Sequence, residues 1–360
     1  TYVASYQMSD SFPKEEVSAK RLMSLCAAAR IDCPGEPIVT DAKNSCWTPL
    51  YGLNSHGDLF SKRQLLSLMT FAANIRRADE KMQACRYSLD RSLAILSFLA
   101  ATLDKQADRN SVLCVILADG GRGIKNTFVR QALPMSWDFA EANPFNPTIA
   151  SWSSVFKEVL VNIDDLNFRG NCNVTRGNAS ELPYEKELFD AIITDPPYYD
   201  NVPYANISDF FYVWLKRSIG CRMPEHFAGM GTPKKAEAVA DAARHGGNKR
   251  VANAAYENAM SRVFSESFRT LKTGGPLIVV YAHKTTLGWA TLIDALRLAG
   301  FLVDEAWPLD TETKGRLRAH DASALASSIF LVARKRDASA ACGNYESDVV
   351  PELAGIVRER

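Results

Sequence analysis

The chain runs to 360 residues, 47% of them hydrophobic, which suffices for a sizeable core and for two structural units. Lys and Arg (42) nearly balance Asp and Glu (41), so no broad positive field exists and any nucleic-acid contact must come from local patches. With no apolar run of about 18 residues and no charged-then-apolar leader, the sequence reads as a soluble, cytoplasmic chain without a membrane span or secretory signal.

The first residue is Thr1 and not Met, as in a fragment or a processed piece. The cysteines (Cys26, Cys33, Cys46, Cys85, Cys114, Cys172, Cys221, Cys342) stand singly, without the Cys-x-x-Cys pairs that seat two thiolates on one zinc. They are expected as reduced, buried small hydrophobes. Cys26, Cys33 and Cys46 form a loose cluster whose uneven spacing does not suit a metal, so none is expected.

In chain order, apolar residues at three- and four-residue steps predict two helices between Ser61 and about Leu103, carrying Leu65, Leu68, Met69 and Ala72, then Leu93, Leu96 and Leu99, packed as a hairpin. Val112 to Leu117 reads as a strand or a buried helix end. A helix over Ser151 to Val161 follows Pro144 and Pro147. Beyond it, Asn173 to Thr175, Ala191 to Thr194, Leu277 to Tyr281, Leu302 to Asp304 and Ser328 to Val332 read as strands. They alternate with helices from about Tyr256 to Leu271 and from about Trp289 to Leu298, the second ended by Ala299-Gly300. That alternation predicts an α/β fold with a mainly parallel sheet flanked by helices. Gly231 to Asn253, Ala-rich and bearing Lys234, Lys235, Arg244, Lys249 and Arg250, reads as a solvated excursion or a mobile lid.

The strand ending in Thr194 leads straight into Asp195-Pro196-Pro197-Tyr198, beyond its carboxyl end, where open α/β sheets bind ligands. An exocyclic amine on a base is a poor nucleophile because its lone pair is delocalised into the ring. Asp195 can accept one amino hydrogen and a rigidly held prolyl carbonyl the other, which favours a tetrahedral nitrogen. Tyr198 offers a face on which a base swung out of its helix can stack. Taken alone, the four residues also fit a strand-terminating turn.

The stretch from Asp195 through Tyr198, Tyr199 and Tyr204 to Arg217 resembles a family of amino-methyltransferases, the adenine-specific DNA methylases with a zinc ribbon; so do Asn126 to Phe145 and Tyr281 to Lys284. The resemblance runs from about Leu59 to Arg334. It implies a Rossmann-like fold, S-adenosylmethionine as donor and Asp195, Pro196, Pro197 and Tyr198 as the catalytic motif. The chain itself reads as a mainly helical region over 1–147, a core over 148–340 with a mobile insertion at 231–253, and a tail over 341–360. Gly177, Asn178 and Ala179, with Thr194 and Asp195, fall where the family holds the cofactor, Asn178 standing where Asp is usual. Tyr198, Tyr199 and Tyr204 fall where a base would be held; His283 and Lys284, at the carboxyl end of a buried strand, read as substrate-binding pocket residues or as polar caps of the strand end.

Two family features have no counterpart here: the glycine-rich loop that accommodates the methionine part of the donor, and the zinc-ribbon cysteine pairs. Asp119-Gly120-Gly121-Arg122-Gly123 has the glycines but lies where the family has an ordinary connector. The expected activity is methylation of a DNA base, adenine N6 first and cytosine N4 second. An RNA base N-methyltransferase, and a split subunit whose partner chain supplies the donor loop, are the alternatives. Asn126, Arg130, Trp137, Asp138, Glu141 and Asn143 read equally as pocket or packing residues, and the row Phe210, Phe211, Tyr212 and Trp214 as core.

Overall fold

The structure, a computed structural model, describes residues 2–3, 15–41, 45–117, 123–146, 150–165, 172–200, 202–283, 285–309, 328–337, 339 and 345–359. Among them no helix is long and apolar enough to cross a membrane. The chain divides into two units, 1–175 with 200–253 and 176–199 with 254–360. These units interleave along the sequence, whereas the expected segments run consecutively.

The first unit is mainly helical. It contains α1 (Glu15–Ala29), α2 (Lys62–Ala84), α3 (Leu89–Asp108), α4 (Trp152–Asp165), α5 (Tyr204–Ser218) and the short α6 (Pro224–Phe227). Two small ladders pair β1 (Tyr2–Val3) with β4 (Ala140–Glu141) in parallel and β2 (Val115–Ile116) with β3 (Ile124–Lys125) antiparallel. Ser61 and Gln64 form a capping box that starts α2, and Ser88 caps α3, satisfying amide groups that a helix start leaves open. From there Leu65, Leu68, Met69, Ala72 and Ile75 bury one stripe of α2 against Leu96, Ala100 and Leu103 of α3, the expected hairpin. Phe210, Val213 and Trp214 of α5 complete the core, each such side chain contributing about 1.5–3 kcal/mol on burial.

The segment after α6 is tied to α5 and is not a solvated excursion. The Asp209 carboxylate, 4% exposed, accepts from the Thr232 amide and hydroxyl at 2.7 Å and pairs with Lys234 at 2.6 Å. Arg244 reaches Glu237 and the Asn206 side chain. Val239, Ala240 and Asp241 are buried.

The second unit holds a four-stranded sheet in the order β5 (Ile192–Thr194), β6 (Leu277–Tyr281), β8 (Ser328–Lys335), β7 (Phe301–Leu309). β5 and β6 are parallel, whereas β8 runs antiparallel to both β6 and β7. The sheet is therefore mixed and not mainly parallel, and the fold is mixed α/β. The 18 residues between β7 and β8 suit either direction of return, so linker length did not fix it. Asn173 to Thr175 forms no strand; it is irregular and exposed, Val174 at 87%.

Leu277, Val279 and Tyr281 of β6 are fully buried while Ile278 and Val280 are half-buried, the alternation of a sheet covered more fully on one face. Helix α7 (Lys249–Thr270) brings a buried stripe of Tyr256, Met260 and Phe264 at four-residue spacing. Helix α8 (Thr286–Ala299) adds Leu292 and Leu296 and ends at Gly300, whose φ of 97° takes the left-handed turn foreseen for it. A further helix, α9 (Val350–Glu359), closes the described chain.

Candidate active site

Thr194 ends β5, and its Cα pairs with Val279 of β6. Because the two strands are parallel, the turn after β5 and the residues after β6 emerge at the same end of the sheet. Asp195 is exposed, Pro196 buried, Pro197 and Tyr198 half-buried. Among the described residues Asp195 makes neither a hydrogen bond nor an ion pair, so its carboxylate is open to a ligand.

An aromatic nest surrounds the turn. The Tyr198 ring meets Tyr281 edge-on at 5.2 Å, and Tyr199 meets Tyr256 at 4.9 Å and His283 at 5.8 Å. Tyr199 adopts φ of 54°, a left-handed conformation unfavourable for a bulky residue and a mark of a constrained turn. The Tyr256 hydroxyl donates to the Pro197 carbonyl at 2.7 Å and accepts the Tyr199 amide at 3.2 Å. Burial pushes the Tyr256 and Tyr281 hydroxyls above the usual tyrosine range, so both stay protonated near neutrality.

His283 is held from its own loop. His283 Nδ1 lies 3.1 Å from the Thr285 amide, 3.0 Å from the Thr285 hydroxyl and 3.3 Å from the Thr285 carbonyl, so one residue of its own loop holds the ring on this edge. The Trp289 indole fixes the His283 carbonyl at 3.0 Å. Gly288 passes so close that a Cβ there would overlap the His283 ring.

The segment Gly177 to Ala179 is an exposed turn of the same unit. Asn178 Oδ1 accepts the Ser180 amide at 3.0 Å, leaving one lone pair for a ligand. The turn is pinned to α7: Glu266 accepts the Leu182 amide at 2.9 Å, and Arg269 donates to the Leu182 and Tyr184 carbonyls. Arg269 also holds the Glu266 carboxyl well below the usual range, at about 2.

The structure thus gathers Asp195, Pro196, Pro197, Tyr198, Tyr199 and His283 around one strand end. Tyr204 opens α5 of the first unit, and Lys284 lies outside the described residues, as do Asp119 to Arg122. Of the residues left open between pocket and packing, Glu141 is 6% exposed and bound to Arg63 and Ser61, and Asn126 binds Asp108. These contacts are packing within the first unit. Phe210, Tyr212 and Trp214 are core. The thiols of Cys26 and Cys33 lie 3.5 Å apart, Cys26 being pushed up to about 12, chiefly by burial. Among the described residues no three metal-binding side chains converge.

Tyr256 was missed as a site residue. The signal that would have found it is a tyrosine within the apolar stripe Tyr256, Met260, Phe264, where a buried hydroxyl needs a partner. The first unit also carries a 590 Å³ cleft lined by Arg30, Glu36, Arg76, Lys216, Arg217 and Phe227, among others. Arg217 grips Glu36 there at 3.0 Å. No family model matches the chain, and no curated protein matches it either.

Proposed function

We propose that Asp195 to Tyr198 is the reactive centre of an S-adenosylmethionine-dependent methyltransferase acting on an exocyclic amino group of a DNA base, adenine N6 first. The observation that carries this reading is the open Asp195 carboxylate at the end of a parallel strand, beside a half-buried Tyr198 and a fixed His283. That arrangement supports a Rossmann-like descent, within a sheet that is mixed overall.

The Asp195 carboxylate accepts one amino hydrogen of the substrate and a prolyl carbonyl accepts the second, turning the nitrogen lone pair out of the ring. Tyr198 stacks on the extruded base, and Nε2 of His283 is available to a base edge. The spare donors of Arg30, Arg76 and Lys216 at the first unit's cleft suit phosphate.

When bound, the donor supplies an electrophilic methyl group on a sulfonium. Its adenosine end fits the Gly177 to Ala179 turn, with Asn178 as acceptor and Thr194 and Asp195 as neighbours. The sequence carries no glycine loop of the family's type for its methionine end. That gap favours a second reading, in which a separate chain completes the grip and this one is a split subunit.

Calorimetry with S-adenosylmethionine, followed by mass spectrometry of DNA and RNA after incubation with labelled donor, tests both. Label in DNA upholds the proposal and label only in RNA moves the substrate class. No heat and no label from the isolated chain leaves the split subunit.

A further inference from the structure

We infer that Tyr256 selects which prolyl carbonyl of the turn is left to hold the substrate amine, by occupying Pro197 and leaving Pro196; this rests on the methyltransferase reading. The Pro197 carbonyl receives the Tyr256 hydroxyl at 2.7 Å and the Tyr199 amide at 3.0 Å, which uses both of its lone pairs. The Pro196 carbonyl accepts nothing among the described residues, so its lone pairs stay available. Two adjacent carbonyls in one rigid turn are thus made unequal by one hydroxyl.

The same hydroxyl holds the turn in shape. It takes the Tyr199 amide at 3.2 Å while the two rings pack at 4.9 Å, stabilising the left-handed Tyr199 that a free tyrosine avoids. Tyr256 is 2% exposed, and the neighbouring Tyr281 hydroxyl donates to the Gly288 carbonyl at 3.3 Å. The only hydroxyl proton of Tyr256 is committed to Pro197, because a carbonyl can only accept and the Tyr199 amide can only donate. Tyr256 is therefore a positioning residue: it acts on the reaction through the backbone that it orders and touches no substrate atom.

The test is Tyr256→Phe in the full chain, with Asp195→Ala as the inactive control. A positioning role predicts a fall in kcat of about tenfold, the worth of one hydrogen bond, with KM for the oligonucleotide unchanged. It also predicts faster amide exchange at Tyr199 and a carbon-13 shift at the Pro197 carbonyl but not at Pro196. Full wild-type kcat in the variant overturns the inference. Should the wild-type chain transfer no methyl group to any nucleic acid, the function reading fails by itself. The selection is then judged on the carbonyl shifts, Pro197 moving alone supporting it and neither moving overturning it. If Tyr256→Phe does not fold, 3-fluorotyrosine at 256 keeps the ring and makes a stronger donor; a Pro197 shift supports the contact and its absence overturns it.

Discussion

Asp209 in the first unit and Asp195 in the second use their charge in opposite ways. In the first, carboxylates and guanidinium groups are buried and answered: Asp209 by Lys234 and Thr232, Glu36 by Arg217, Glu141 by Arg63. In the second, the exposed Asp195 carboxylate has no partner among the described residues, and the Glu266 carboxylate fastens a surface loop. Buried, answered charges hold a packing arrangement together and are costly to break one at a time. A charge left open at a strand end adds little to stability and remains free for a ligand. Substitutions in the two regions should therefore separate, the first unit losing stability and the second losing function.

The largest effect expected is at Asp195. Asp195→Ala should abolish methyl transfer while changing the unfolding free energy by no more than about 0.5 kcal/mol, read by label incorporation and denaturant melts. Full activity in the variant would break the comparison at its centre. Next is Asp209→Ala, which strands Lys234 and the Thr232 donors and should cost about 3–5 kcal/mol in the same melts. A cost below about 1 kcal/mol would mean that the first unit is not held by its ion pairs.

A pH effect follows from His56, which is 1% exposed with neither ring nitrogen bonded among the described residues. Burial pulls its pKa down to about 4, against opposing pulls from Asp209 and Glu36, with Lys234 and Arg217 adding to the lowering. The unfolded chain binds this proton at about pH 6.5 and the folded chain only near 4, so stability is whole above 6.5 and falls as pH drops toward 4. The loss amounts to about 3 kcal/mol, and His56→Phe should flatten the curve. The smallest is Tyr198→Ala, expected to weaken base capture by about 1–3 kcal/mol, seen in oligonucleotide binding with the melt unchanged.

What could be read in advance followed from periodicity. The stripe on α2 and α3 and the apolar run of β6 each satisfy one spacing rule, and Gly300 marks its helix end. Helix α1 escaped because only Ser18 and Leu22 of its 15 residues are buried, too few to make a stripe. The direction of β8 escaped because an apolar strand carries no mark of polarity and its linker suits both. At the site, Asp195 to Tyr198 stood out as a motif. Tyr256 did not, because its helix was expected to begin there and in fact begins at Lys249, placing the ring two turns inside.

The close passage of Gly288 beneath His283 makes position 288 a remote handle on the imidazole. A single methyl group there has nowhere to go and must evict the ring from the perch that Thr285 gives it. Whatever His283 contributes could thus be dialled away without altering His283 itself, and the tolerance of this loop to change is set by a residue that has no side chain.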